Sequence, residues 1–375
     1  MNDIKPDSFK IYYDIAVLPG ENIEDKLKGI CLEQSVELPS DVLSEDIKDR
    51  IVGEIIDVRE SAKCKFKVIL RFPVNNAAGE ITQLLNVLLG NISLKPGIRV
   101  TGLEWEKLQD LFHGPSYGIN NLRKKWNIGE RGISATALKP MGFSSNQIGE
   151  LCYQFALGGI DIIKDDHGLT NQPYAPFEER VKACVDAVNR AEKQTGRRSL
   201  YFPNVTTGPD KLVDRYRKAA ALGADGVLLT PHLCGLEMMN VLASLDVNLP
   251  IMAHPAFSGG LVINHTSGFS QQFLYGELWR ALGADFVIYP NTGGRFSFTE
   301  EECLSINRSA RKIMCDFNNT FPTPGGGMQR KNLKKWLSLY GKDTVFLMGG
   351  SLYQHPSGIR EAGEEVRSIL VENEA

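Results

Sequence analysis

GISATALKPMGFSSNQIGELCYQFALGGIDIIKDD, residues 132–166, is the stretch on which the fold turns. Its two ends, GISATALK (132–139) and IDIIKDD (160–166), are short apolar runs that close on polar residues. Its middle, SNQIGELCYQFALGG (145–159), has amphipathic helical spacing and closes on Gly, the residue expected just past a helix C-terminus. Outward from this strand–helix–strand unit the alternation recurs. Strands are predicted at SLYFPNV (199–205), GVLLTP (226–231), PIMAHP (250–255), DFVIYPN (285–291), more weakly at NTFPTP (319–324), and at TVFLMGG (344–350). Helical stretches such as PDKLVDRYRKAAALG (209–223) and QQFLYGELWRALG (271–283) separate them. Eight such units over about 245 residues have the size and connectivity of a (β/α)8 barrel. A doubly wound open sheet is the alternative, but no G-x-G-x-x-G follows the first strand.

Upstream the texture differs. IYYDIAVLP (11–19), EIIDVRE (54–60) and KFKVILRFPV (65–74) are β-type runs. ENIEDKLKGICLEQS (21–35) carries Ile23, Leu27 and Ile30 at helical spacing, and AGEITQLLNVLLG (78–90) repeats the pattern with Ile81, Leu84, Leu85 and Leu88. Strand, helix, two strands and helix suit a ferredoxin-like α+β sandwich. The expected organisation is therefore an α+β domain over 1–125 followed by a barrel over 126–375.

With 375 residues, 42% hydrophobic and 23% charged, the composition is ordinary for a globular protein and excludes disordered, collagenous and disulfide-scaffold classes. Forty-two basic against 45 acidic residues leave a charge of −3, so no bulk electrostatic footprint argues for nucleic acid or an anionic membrane. No apolar run approaches the roughly 20 residues of a membrane span, and MNDIKPDSFKIYYD lacks the apolar core of a signal peptide. The expectation is cytoplasmic. Seven scattered cysteines, odd in number and never spaced C-x-x-C, read as reduced core residues.

In a (β/α)8 barrel the chemistry sits on the loops that follow the strands. Here the strands close on Lys139-Pro140, Lys164-Asp165-Asp166-His167, Asn204, His232, His254 and Asn291. Any one of these is a solvated loop residue on the bland account; six at one rim are harder to dismiss. Because strand residues two apart share a face, Lys164 and Asp166 point to the barrel mouth together while Asp165 points toward the helices. They read either as a buried ion pair or, if the lysine's charge is masked, as ligands of a hard cation such as Mg²⁺. Gly-rich runs PTPGGGMQ (322–329) and MGGS (348–351) follow strands 7 and 8, where barrels of this kind commonly hold phosphate on backbone N–H groups.

Several motifs in order carry a family resemblance. GGIDIIKDDHGLTNQPYAPFEER (158–180) resembles the metal-binding segment of the RuBisCO large subunit, FHGPSYGI (112–119) its interdomain link, LLGNISLKPGI (88–98) its asparagine loop and MGGSLYQHP (348–356) its strand 8 loop. The resemblance implies a carbamylated Lys164 formed from CO₂, with Asp166 and His167 completing a site for one Mg²⁺, His167 standing where the family has glutamate. It implies a proton-handling Lys139, catalytic roles for Asn204 and His254, and phosphate binding by Gly325, Gly326, Gly327, Gly349 and Gly350. Glu33 and Asn91 match residues that complete a partner subunit's site, implying a homodimer or a multiple of dimers.

The departures are also informative. Pro255 follows the strand 5 histidine where carboxylases carry a phosphate-gripping arginine, and Ser258 replaces a second histidine. NTGGRFSF (291–298) lacks the lysine-tipped lid, although Arg295 could fill part of its role, and TALKPMG (136–142) lacks the second lysine of K-P-K-L-G. The chain resembles the RuBisCO-like, non-carboxylating branch. His167 is either a ligand or a general base near pH 7. The expected activity is metal-dependent enolisation and isomerisation of a singly phosphorylated ketose, first among them 5-methylthioribulose 1-phosphate in methionine salvage. The alternatives are 2,3-diketo-5-methylthiopentyl 1-phosphate enolase, a transcarboxylase, hydrolase or decarboxylase acting on a branched sugar-acid phosphate such as 3-oxo-isoapionate 4-phosphate, and a non-catalytic regulatory protein.

Overall fold

The computed structural model describes residues 7–373 in two units. One is built from residues up to Phe112 with 258–274 and 314–316; the other comprises 113–257, 275–313 and residues from 317 onward.

In the first unit, alternation of apolar and polar residues makes strands with one buried face. In β1 (Ser8–Ala16), Phe9, Ile11, Tyr13 and Ile15 are buried; β2 (Glu54–Ala62) lies at the sheet edge; β3 (Lys65–Pro73) buries Val68, Leu70 and Phe72. β4 (Ile98–Leu103), which the sequence reading passes over, completes an antiparallel order β4-β1-β3-β2, the ferredoxin-like arrangement. A two-residue strand, β10 (Gly268–Phe269), adds in parallel outside β4. The helices Ile23–Glu33 and Ile81–Leu89 bury Leu27 and Ile30, and Ile81, Leu84 and Leu88, at the expected spacings. Asn22 caps the first of them, accepting from the backbone N–H of Glu24 and Asp25.

The second unit is the (β/α)8 barrel. Its strands are β5 (Ile133–Leu138), β6 (Ile162–Asp165), β7 (Leu200–Phe202), β8 (Val227–Leu229), β9 (Ile251–Ala253), β11 (Phe286–Pro290), β12 (Phe321–Gly325) and β13 (Val345–Leu347). Seven lie inside their predicted segments, and β12 starts within the weak NTFPTP run and extends one residue past it, to Gly325. Their near-continuous burial is what parallel strands covered on both faces require. Two four-stranded parallel sheets, β13-β5-β6-β7 and β12-β11-β9-β8, are joined by bonds from Leu228 N–H to Pro203 O and Val205 N–H to Leu228 O. Helix Ser145–Leu157 opens on a Ser144/Gln147 capping box. The stretch 271–283 departs from expectation: instead of a regular α-helix it widens into a π-helix, Gln272–Leu278, before an α turn, Trp279–Ala281. Apolar residues are buried all round it, so a single amphipathic stripe does not select its register.

Residues 113–125, assigned to the first domain on sequence, sit with the barrel. The helix Gly118–Trp126 places Ile119 and Leu122 in one core with Ile133, Ile162, Leu228, Met252 and Val345, and Trp126 stacks on Phe286 at 6.1 Å. Five cysteines are buried as expected; Cys64 is exposed and Cys315 half-buried. No helix among the described residues is long and apolar enough to cross a membrane.

One buried ion pair sets the course of the chain after β6. Asp165 and Arg180 are both fully buried, with Arg180 Nε donating to Asp165 Oδ2 at 3.1 Å. Tyr201 Oη and the Asn204 backbone N–H also donate to Asp165, at 2.8 and 2.9 Å. The other guanidinium nitrogens donate to Ala175 O and Thr170 O, both at 2.7 Å, so the loop 166–176 is fastened to the helix Phe177–Thr195. Removing one partner strands a buried charge. Arg180→Met is therefore expected to lower unfolding free energy by about 3–5 kcal/mol in a denaturant titration; a loss below about 1 kcal/mol would show that Asp165 tolerates the substitution by another route.

Candidate active site

Three strand ends converge at the C-terminal mouth of the barrel. From the end of β5, Lys139 Nζ reaches Asp166 Oδ2 at 2.6 Å. Asp166 follows β6 and also accepts from the Gly168 N–H at Oδ1, 3.2 Å, a local turn that fixes the carboxylate. Lys164, only 2% exposed, donates from Nζ to Asp165 O at 3.1 Å. Asp166 therefore pairs with Lys139, and the Lys164–Asp166 ion pair, one of the two readings left open by the sequence, is not formed. Asp165 faces away into its own network, as alternation along the strand requires. His167 Nδ1 lies 3.6 Å from Asp166 Oδ1, and its ring stacks on His254, beyond β9, with centroids 4.4 Å apart and planes 16° from parallel.

Burial and crowded cations set the protonation states. Burial, helped by the charge on Lys139 and opposed by Asp166 and Asp165, pulls the Lys164 ammonium down to about 8. Burial would raise the Asp166 carboxyl, but the hydrogen bond from Lys139 and the charges of Lys164, Lys139 and His167 hold it below the usual carboxylate range. His167 is depressed by burial, against the pull of Asp166 and with help from Lys164, Lys139 and Arg295. His254 is depressed much further, by burial and then by Lys164, His167 and Lys139. Both imidazoles are neutral at pH 7. His254 Nδ1 accepts from Ala256 N–H at 3.1 Å, which assigns the ring proton of the neutral form to Nε2.

The remaining expected residues have different surroundings. Asn204 is fully buried, its Nδ2 donating to His167 O and Leu169 O, both at 2.9 Å, and its Oδ1 accepting from Thr206 N–H at 3.1 Å. Its amide holds the loop that bears His167. Gly325 O accepts from Asn291 N–H and Gly326 O from Arg295 N–H, so the loops after β11 and β12 lie backbone to backbone. A Cβ on Gly327 would sit 2.5 Å from Gly294 Cα. Around Gly349 and Gly350, by contrast, a Cβ would meet nothing within 4 Å. Ser351 Oγ donates to Met328 O and accepts from Arg330 N–H, tying the two glycine loops together. Glu33 and Asn91 lie in the first unit, where Asn91 Nδ2 donates to Glu33 Oε1 at 3.2 Å and Lys95 pairs with Glu33 Oε2 at 3.2 Å.

Residues outside the expected set also shape the mouth. Arg180 and Tyr201 orient Asp165, and Tyr353 Oη accepts from the backbone N–H of Lys139. No spacing rule announces any of the three. Met141 stands over Gly168, with its Sδ 2.6 Å from where a Cβ would be.

Among the described residues no cluster of three or more His, Cys, Asp or Glu is disposed to hold a metal. One carboxylate and one imidazole are a thin donor set for a hard cation. A carboxylated Lys164 would supply the second oxyanion, and the ammonium on Asp166 demonstrates that this carboxylate accommodates a cation. With that modification the residues fit Mg²⁺.

Comparison with known proteins identifies the family. Residues 118–372 match the family model of the ribulose bisphosphate carboxylase large chain, catalytic domain. The chain is 33% identical to a 5-methylthioribulose-1-phosphate isomerase of Rhodospirillum rubrum over 89% of this chain and 88% of that one. It is also 33% identical to a 2,3-diketo-5-methylthiopentyl-1-phosphate enolase of Bacillus pumilus, over 83% and 77%. The solved structure of a Rubisco-like protein from Rhodopseudomonas palustris superposes with a TM-score of 0.88 at 31% identity, covering 97% of this chain and 98% of that one. The family match and the shared architecture lead to one conclusion: this chain belongs to the ribulose bisphosphate carboxylase large-chain family, in its RuBisCO-like branch.

Proposed function

We propose that this protein is a metal-dependent isomerase that enolises a singly phosphorylated ketose, 5-methylthioribulose 1-phosphate, and returns the proton at a neighbouring carbon. The observation that carries this reading is the meeting of Lys139, Lys164 and Asp166 at one barrel rim, with a stacked pair of neutral imidazoles beside them. The similar isomerase of Rhodospirillum rubrum supports the choice of substrate. Lys164 and Asp166 would hold Mg²⁺, with His167 as third ligand, once Lys164 carried CO₂ as a carbamate. The bound cation would polarise the ketone and acidify the adjacent C–H, worth several kcal/mol.

The chain's own groups do the rest. Lys139, released from Asp166, carries the proton between carbons, a contribution of roughly 10²–10⁴-fold. His254 donates from Nε2 to a substrate oxygen. The backbone N–H groups of Gly325, Gly326, Gly327, Gly349 and Gly350 hold the phosphate, and Asn204 keeps the His167 loop in place. The assembly is a homodimer in which Glu33 and Asn91 of one copy serve the site of the other.

The similar enolase of Bacillus pumilus favours a second reading, enolisation of 2,3-diketo-5-methylthiopentyl 1-phosphate by the same groups. Supplying the purified protein with each compound, Mg²⁺ and bicarbonate decides between them. Absence of turnover on methylthioribulose phosphate alongside turnover of the diketone would replace the first reading with the second.

Three further outcomes are expected. Intact-mass measurement in CO₂ and Mg²⁺ should show the carbamate on wild type but not on Lys164→Ala, whose activity should fall at least about 10³-fold with the loss of the metal-held oxyanion; full activity in that variant would remove the carbamate from the mechanism. His167→Glu should tighten Mg²⁺ about tenfold or more by calorimetry, because a carboxylate suits a hard cation better than an imidazole. Mixing the inactive variants Glu33→Gln and Lys164→Ala should restore about a quarter of wild-type activity if sites are shared between two copies; no recovery after verified subunit exchange would count against a shared site.

A further inference from the structure

Strands β13 and β5 run parallel, with Val345, Phe346 and Leu347 opposite Ile133, Ser134 and Ala135. Along this ladder Ile133 N–H donates to Thr344 O at 3.1 Å and Met348 N–H to Ala135 O at 2.9 Å. Bonds in a parallel ladder are evenly spaced, so its continuation would take Gly350 N–H to Ala137 O and Lys139 N–H to Gly350 O. The chain does something else. At Gly349 (φ −113°, ψ −103°) it leaves the sheet and enters the short helix Gly350–Tyr353.

The Tyr353 hydroxyl fills both positions. It donates to Ala137 O at 2.8 Å and accepts from Lys139 N–H at 2.8 Å. Its ring is held edge-on against Phe155, on the helix Ser145–Leu157, with centroids 5.3 Å apart and planes at 76°. Burial pushes the phenol well above its ordinary range, so the hydroxyl keeps its proton and can donate and accept at once. Lys139 needs such an anchor. Its side chain is 43% exposed, and its backbone lies just beyond Leu138, the last residue of β5.

We propose that Tyr353 is a positioning residue whose hydroxyl replaces Gly350 in the sheet and holds Lys139 against Asp166. The strand can then turn away to present its open glycines without releasing the lysine beside them. The role rests on the proposed function in so far as Lys139 carries the proton.

The test uses the full-length Tyr353→Phe variant, which keeps the ring and its contact with Phe155. Hydrogen exchange at the Lys139 amide should quicken about tenfold or more, while the Met348 amide, bonded to Ala135 O, keeps its wild-type rate. With methylthioribulose phosphate, Mg²⁺ and bicarbonate, kcat should fall about 10- to 100-fold while KM stays within about threefold, because the reacting group is misplaced and the phosphate contacts remain. Unchanged exchange at Lys139 would overturn the anchoring role; faster exchange with wild-type kcat would overturn its bearing on the reaction. A wild type without turnover would overturn the proposed function alone, and the exchange measurement would still decide whether Tyr353 holds Lys139.

Discussion

A carboxylate with no access to water must be given partners, and the environment of Asp165 shows how far that requirement reaches. Arg180, Tyr201 and the backbone of Asn204 converge on it from one helix and one neighbouring strand. Because side chains alternate along β6, fixing Asp165 outward fixes Lys164 and Asp166 inward. The same arginine ties the following loop to its helix through two carbonyls, and Asn204 clasps that loop from the other side. The orientation of the rim chemistry is thus decided behind the strands, by groups that do not face the mouth.

At the mouth the dominant fact is an imbalance of charge. Two lysines stand by one carboxylate, Asp166, and burial first, with the neighbouring cations adding to it, lowers the proton affinity of both nearby histidines and of the buried Lys164. A neutral amine is the form that can take up CO₂, so the burial that disfavours an ammonium favours the modification. Adding that one anionic group would change the rim from a cluster short of negative charge into one suited to a divalent ion. The global charge of −3 has no part in this; the relevant electrostatics lie within a few residues.

Much of the fold was legible because parallel strands buried on both faces leave short, largely apolar runs, and seven of the eight barrel strands fall within the predicted segments, β12 running one residue past its own. β4 was missed because GIRVTGL carries two glycines and an arginine, and the pairing with β1 that stabilises it is non-local. At the rim, Lys164 and Asp166 could be read from a period of two. Their partners could not: the contact of Lys139 with Asp166 joins residues 27 apart, and that of Tyr353 with Lys139 joins residues 214 apart. Asn204 illustrates the converse limit. Its position at a strand end was legible, but the two carbonyls that occupy its amide are visible only once the loop after β6 has folded over it.

The glycines of the two rim loops limit how the mouth could be covered. Gly294 and Gly327 approach so closely that a methyl group on either would collide with the facing backbone, and Arg295 and Gly326 are bonded across the same seam. Single substitutions there would break the seam before they created anything new. A longer cover over the mouth could be built by inserting residues between Asn291 and Phe298, but not by placing side chains at the two seam glycines. At the seam itself, then, the loop has room to grow in length but none for a side chain at Gly294 or Gly327.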